Sequence, residues 1–206
     1  MSLARLLQLA SPALPVGAYS YSGGLEAAVE AGVVKDAKTA QAWIEGVLEH
    51  SIGTFDAPCL RRMIQEPERQ AELNDLYLAS RETAELRAET LQMGYSLCRL
   101  LRELGLQGVP EGEVSFPAAF AFAARSWGIA PRDAVQACLW GWLENQVMAA
   151  LKAVPFGQTD GQKILLSVGD SLARFADDEE ITGNFTPALA ILSSRHETQY
   201  SRLFRS

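Results

Sequence analysis

The sequence is poor in the side chains that metal centres and nucleophilic enzymes use. It has two histidines, His50 and His196, and three cysteines, Cys59, Cys98 and Cys138. A metal site needs several His, Cys or carboxylate ligands to converge, so this scarcity argues against a resident metal and leaves a spatial pair of the two histidines as the remaining option. The cysteines are odd in number, form no C-x-x-C pair and sit in apolar helical patterns, which predicts reduced core thiols in a reducing compartment. Phosphate-cradling glycine loops and the Gly-x-Ser-x-Gly elbow are missing, so no cofactor is expected. Carboxylate pairs such as Glu82 with Glu85, or Glu179 with Glu180, lie in polar segments and read as solvated helix faces.

Basic charge is also short. Eighteen Lys and Arg stand against 25 Asp and Glu, a formal charge of -7, so the attraction to phosphate that drives nucleic-acid and anionic-membrane binding is missing over most of the surface. No long apolar run is free of polar groups: the most apolar stretch, Ala134 to Leu151, carries Gln136, Glu144, Asn145 and Gln146 and reads as a buried core helix, not a membrane span. Met1 to Ala10 has Arg5 inside a short apolar stripe and no leader pattern, so a cytoplasmic location is expected. Runs of alternating polar and apolar residues are missing too, which excludes a substantial sheet.

What is present is helical periodicity. With 48% hydrophobic residues, the chain can close one core, and the expectation is a single all-α domain over residues 1–206, a bundle of roughly eight to ten helices. Leu3, Leu6, Leu7 and Ala10 mark a first short helix ended by Ser11-Pro12. Ser22 is a candidate N-cap for a helix closed by Gly32, and Asp36 for a stripe through Ala40, Ile44 and Val47. Pro58 is expected to start a separate helix, Leu86 to Leu104 to form a long one, and Pro117 and Pro131 to open two more. Thr159 to Gln162 has capping-box spacing ahead of one helix reaching Phe175, and Thr186-Pro187 starts the last.

Two segments are hard to explain as packing alone. Ser11 to Gly24 is turn-rich yet apolar, and the tail from Arg195 to Ser206 sets three arginines and one glutamate on an acidic body, with Tyr200, Leu203 and Phe204 as apolar anchors. Aromatic and arginine anchors dominate protein interfaces, so both segments read as recognition surfaces; the plain alternative is a last segment folded onto its own core.

LLQLASPALPVGAYSYSGGLEAAVEAG at Leu6 to Gly32, KAVPFGQTDGQ at Lys152 to Gln162, and TPALAILSSRHETQYSRLFRS at Thr186 to Ser206 are together similar to the UreF family of urease accessory proteins. That resemblance implies an all-helical homodimer that binds UreD (UreH) and, through it, recruits the GTPase UreG for nickel delivery to apo-urease. It places partner contacts on Leu14, Pro15, Gly17 and Tyr19, on Glu26 of the Gly-Leu-Glu triplet, on Lys152, on Gly157 and Gln158, and on His196, Tyr200, Arg202, Leu203 and Phe204 of a partner-binding tail, 195–206. Ala18 stands where many relatives have glycine, and Gly23 where they have a larger polar residue. Lys152 also suits a helix end, as a cation complementing the dipole, and His196 either holds the tail down or touches metal. Beside a non-catalytic adaptor stand two alternatives: Arg202 supplied in trans to the GTPase transition state, and direct nickel carriage through His196 or through Cys59 and Cys138.

Overall fold

The computed structural model describes residues 3–206, and they form an all-α assembly with no strand among them. The helices are α1 (Leu3–Ala10), α2 (Leu25–Glu30), α3 (Ala37–Val47), α4 (Ala57–Gln65), α5 (Gln70–Ala79) and α6 (Ala84–Glu103). They are followed by α7 (Phe116–Ser126), α8 (Pro131–Ala153), α9 (Gln158–Gly169), α10 (Leu172–Ala176) and α11 (Pro187–His196). Ten of these are six residues or longer, and α10 has five.

Helix α8 is the hub. It packs against α1, α2, α3, α4, α7, α9 and α10. Its buried residues, among them Ala134, Val135, Leu139, Leu143, Val147 and Ala150, lie all round its circumference, the pattern of an interior helix. Alanines at 134, 137, 149 and 150 let neighbours come close. One buried apolar cluster runs from Leu9 through these residues to Phe204. No helix among the described residues is long and apolar enough to cross a membrane.

Local chemistry fixes most ends. Asp36 forms a full capping box with Thr39, and the amide and hydroxyl donors of Thr39 hold the Asp36 carboxyl below its ordinary range. Ser115 caps α7, whose first turn carries Pro117. Just before α7 the backbone crosses α6 at Gly94, where an added Cβ would lie 2.0 Å from the Val114 carbonyl oxygen. Asn74 and Thr90 accept hydrogen bonds from the amides of Ser115 and Phe116, 2.9 and 3.0 Å, and hold the crossing in place.

Four boundaries differ from expectation. Pro58 falls in the first turn of α4, as expected of a proline that starts a helix, but no break precedes it: α3 runs into α4 through a π-helical stretch, Leu48–Asp56. This stretch offers carbonyls outward, since the amides of Phe185 and Thr182 bond to His50 and Thr54 at 2.9 and 3.1 Å and so hold the irregular segment before α11. The helix expected to reach Phe175 breaks after Gly169 into α9 and α10. Thr159 is not a cap, because α9 starts at Gln158 with Gly157 as its N-cap. The N-cap of α2 is Gly24, not Ser22; the Ser22 hydroxyl nonetheless accepts from the Glu26 amide at 3.2 Å. The cysteines are unpaired, with Cys59 and Cys98 buried and Cys138 partly so.

Two glycine substitutions should move stability in opposite directions. Gly94→Ala drives a methyl into a backbone carbonyl and should destabilise by about 3 kcal/mol or more. Gly46→Ala, in helical backbone with open space around it, should stabilise by about 0.5–1 kcal/mol. Urea unfolding midpoints of the two variants check both signs.

Candidate functional site

The two segments singled out in the sequence are packed on each other. The loop before α2 turns at Gly17, with φ +79°, and at Gly24, with φ +82°, where a side chain would also strike Leu189 of α11. Polar residues in the middle of α8 hold the loop from below: Asn145 and Gln146 donate to the carbonyls of Tyr21 and Ser22, both at 3.0 Å. This explains amides in a core helix, for a buried loop carbonyl without a donor costs about 1–3 kcal/mol.

The loop then holds the tail. Ser22 donates to the Ser206 main-chain oxygen from both its amide, at 3.0 Å, and its hydroxyl, and the Arg205 amide donates to the Ser20 carbonyl at 2.8 Å. At the start of α2 the Glu26 side chain, buried with its residue 6% exposed, collects donors from the tail. One carboxylate oxygen accepts the Leu203 amide at 2.7 Å and the Gln199 side chain at 3.4 Å. The other accepts the Phe204 amide at 2.9 Å and faces His196 Nε2 at 3.2 Å.

His196, fully buried at the end of α11, bridges two helices. Its Nδ1 lies 2.6 Å from Glu85 on α6, and the second oxygen of Glu85 accepts from Arg202 at 2.6 Å. Glu197 accepts from the Ala84 amide at 3.0 Å, and Thr83, the N-cap of α6, shares a hydrogen bond with Ser193 at 2.8 Å. Phe204 is buried in the core cluster under Lys152, whose ammonium sits 5.5 Å from the ring centre in the last turn of α8.

Five of the thirteen residues expected to matter come together here. Glu26, His196, Arg202 and Phe204 form the clasp, with Lys152 on top. Tyr19 and Leu203 stand out of it, 70% and 71% exposed, and Tyr200 is fully exposed. Leu14 is buried, whereas Pro15 is exposed beside it. Gly157 and Gln158 are exposed at the start of α9, and no hydrogen bond among the described residues joins them to the clasp. One expectation fails: Glu85 is not on a solvated face, its side chain being 15% exposed between His196 and Arg202. Nothing local could have shown this, because its partners lie 111 and 117 residues away in sequence.

A cavity of about 310 Å³ lies under the loop, bounded by Leu14, Tyr19, Glu89, Cys138, Gln146 and Lys152 among others. Burial pushes the Glu89 carboxyl up to about 7, and the Ser206 hydroxyl donates to it. Burial likewise pushes the thiols of Cys59 and Cys138 up to about 12, which keeps both protonated at neutral pH, whereas metal binding and nucleophilic attack use the thiolate. No set of three or more His, Cys, Asp or Glu among the described residues is arranged to hold a metal ion. His50 is exposed beside Glu49 and Arg174, in surroundings that share nothing with the His196 clasp.

Fold and site together define an all-helical protein whose most developed polar feature is a clasp between two chain segments. The UreF family profile matches residues 34–169, which takes in the Lys152 to Gln162 segment of the resemblance and the helices before it. The urease accessory protein UreF of Azoarcus sp. is 52% identical over all of this chain and 96% of its own length. UreF proteins of Dechloromonas aromatica and Methylobacillus flagellatus are 50% and 51% identical, again over the whole chain and 98% of theirs. The chain belongs to the UreF family of urease accessory proteins.

Removing the Glu26 carboxylate should free the tail. Glu26→Ala leaves two tail amides and His196 without their acceptor, a loss of about 2–4 kcal/mol for charge-assisted bonds in a buried site. Trypsin should then cut rapidly after Arg195 and Arg202, and the melting temperature should fall by about 5–15 °C. Mass spectrometry of a digestion time course and a thermal melt check the two outcomes.

Proposed function

We propose that this chain is a non-catalytic, cytoplasmic adaptor in urease maturation, a homodimer that binds UreD (UreH) and recruits the GTPase UreG for nickel insertion into apo-urease. In this reading residues 1–206 act as one domain and 195–206 as its partner-binding tail. The observation that carries it is the clasp: it leaves the Tyr200 and Leu203 side chains exposed on a mount secured by Glu26 and His196. Large exposed apolar side chains on an ordered support are what a partner surface gains most from covering. Arg202, ion-paired with Glu85 and 40% exposed, serves this surface as an anchor and not as a finger inserted into another protein's active site.

Tyr200 and Leu203 are too exposed to matter for folding, so they separate docking from stability. The double variant Tyr200→Ala, Leu203→Ala should keep its helical circular dichroism and melting temperature. Its affinity for UreD, or for a UreD–UreG mixture, should fall by about thirtyfold or more, the loss of one hot spot. Copurification and titration calorimetry measure this, and unchanged affinity sinks the assignment of the tail as the partner surface.

A further inference from the structure

The cavity under the loop carries acidic charge that the fold does not pair. Its lining reaches the surface at Pro12, Tyr19, Met148 and Lys152, so it opens beside the loop. Inside, α6 turns one side to it: Glu82, just before the N-cap, then Leu86, Glu89 and Met93, spaced by three or four residues as one side of a helix requires. The rest of the wall is largely apolar, with Leu60, Phe120 and Trp142 in it. A carboxylate, a leucine and a second carboxylate therefore lie in a row, the outer two about 10 Å apart along the chain at about 1.5 Å per residue.

Neither of these carboxylates has a cation of its own. Arg81, the guanidinium on the wall, is engaged elsewhere: it meets both oxygens of Asp56, at 2.8 and 3.3 Å, and its remaining donors go to Tyr77 and Ser80. Glu82 Oε1 is buried with no hydrogen-bond partner among the described residues. Glu89 accepts the Ser206 hydroxyl on one oxygen and no donor among the described residues on the other. That bond favours the Glu89 charge, whereas burial opposes it more strongly and lifts the carboxyl to about 7. On the α8 wall Glu144 and Lys152 carry opposite charges, and Lys152 is turned onto the Phe204 ring. Buried acids at the two ends of an apolar stretch are matched by two cations joined through an apolar chain.

We propose that this cavity binds a short linear aliphatic diamine as its diammonium ion, one ammonium at Glu82, the other at Glu89, and the methylene chain along Leu86. An ammonium group offers three N–H donors and no acceptor, which suits carboxylate oxygens that lack donors. The methylenes leave water for apolar walls, and a monoamine satisfies one end while the other stays unmatched. A metal ion is a poorer fit, because its charge sits at one point and no three His, Cys, Asp or Glu side chains among the described residues converge to hold it. Glu89 also receives the tail at Ser206, so the occupant and the seating of the tail share one group.

Titration calorimetry of the full chain with 1,5-diaminopentane tests this without any partner, so its failure leaves the adaptor reading untouched. One diamine per chain is expected, bound about tenfold or more tightly than 1-aminopentane through the second matched charge. Glu82→Gln and Glu89→Gln should each bring the two amines to within about twofold of one another. Methyl-labelled methionine locates the ligand by NMR in the unaltered chain, whatever those variants do. Met93 lines the cavity and its signal should shift, whereas Met63, buried in the core and not on the cavity wall, should keep its position. With a net charge of -7 the chain also attracts diamines loosely to its outer face, and that binding leaves Met93 unmoved and fades at about 0.15 M salt. Equal affinity of the unaltered chain for the two amines, displacement of the diamine by an equal concentration of magnesium, or a Met93 signal that stays in place at saturation overturns the site.

Discussion

The buried carboxylate of Glu26 is the constraint around which the functional end of the molecule is built. A desolvated charge persists only with a full set of donors, and here every tail donor comes from a short run, His196, Gln199, Leu203 and Phe204. Two of the four are main-chain amides, so Glu26 specifies the path of the backbone more than the identity of the side chains along it. The dependence is mutual. Helix α2 has six residues, too few to persist alone, and it is kept in place by α8 beneath and α11 beside it.

The clasp is reached by a chain of polar supports that starts in the core. Asn145 and Gln146 of α8 receive the carbonyls of the loop, Ser22 of the loop receives the chain at Ser206, and Glu26 receives the residues between. From the other side, the carbonyls released by the π-helical stretch hold Thr182 and Phe185, and the chain enters α11 aimed at α2. Each support meets at least one main-chain group with a polar group, which is why an irregular loop and an irregular tail are ordered without forming a sheet.

Helices with one apolar face were legible in the sequence because 3.6-residue periodicity is a local property, and their starts are marked locally too, by the Asp36 capping box and by the fixed φ and missing N–H of Pro131. The junction at Pro58 was not, because a proline in a first turn is compatible both with a new helix and with a π-helical stretch that continues an old one. Family resemblance pointed to Glu26, His196, Arg202 and Phe204 individually, yet not to Glu85, which joins His196 to Arg202. Glu85 has the sequence surroundings of a surface residue near a helix start, and it becomes a buried acceptor solely because α11 returns across it. Asn145 and Gln146 argued against a membrane span; that they grip the loop is a tertiary fact with no local signal.

The kind of attachment matters as much as its position. Beyond α11 only Phe204 joins the apolar cluster, and the remaining hold on the tail is hydrogen bonds and ion pairs. An apolar anchor would weld the tail to a core whose packing tolerates little change, whereas a polar one responds to charge and competition while the core stays as it is. A docked tail also spares a partner the cost of ordering it, which for side chains such as Tyr200 and Leu203 is about 0.5–1.5 kcal/mol each. A surface that is ordered in advance yet held by polar groups can still be released by a competing donor or acceptor, and a wholly apolar anchor offers no such handle.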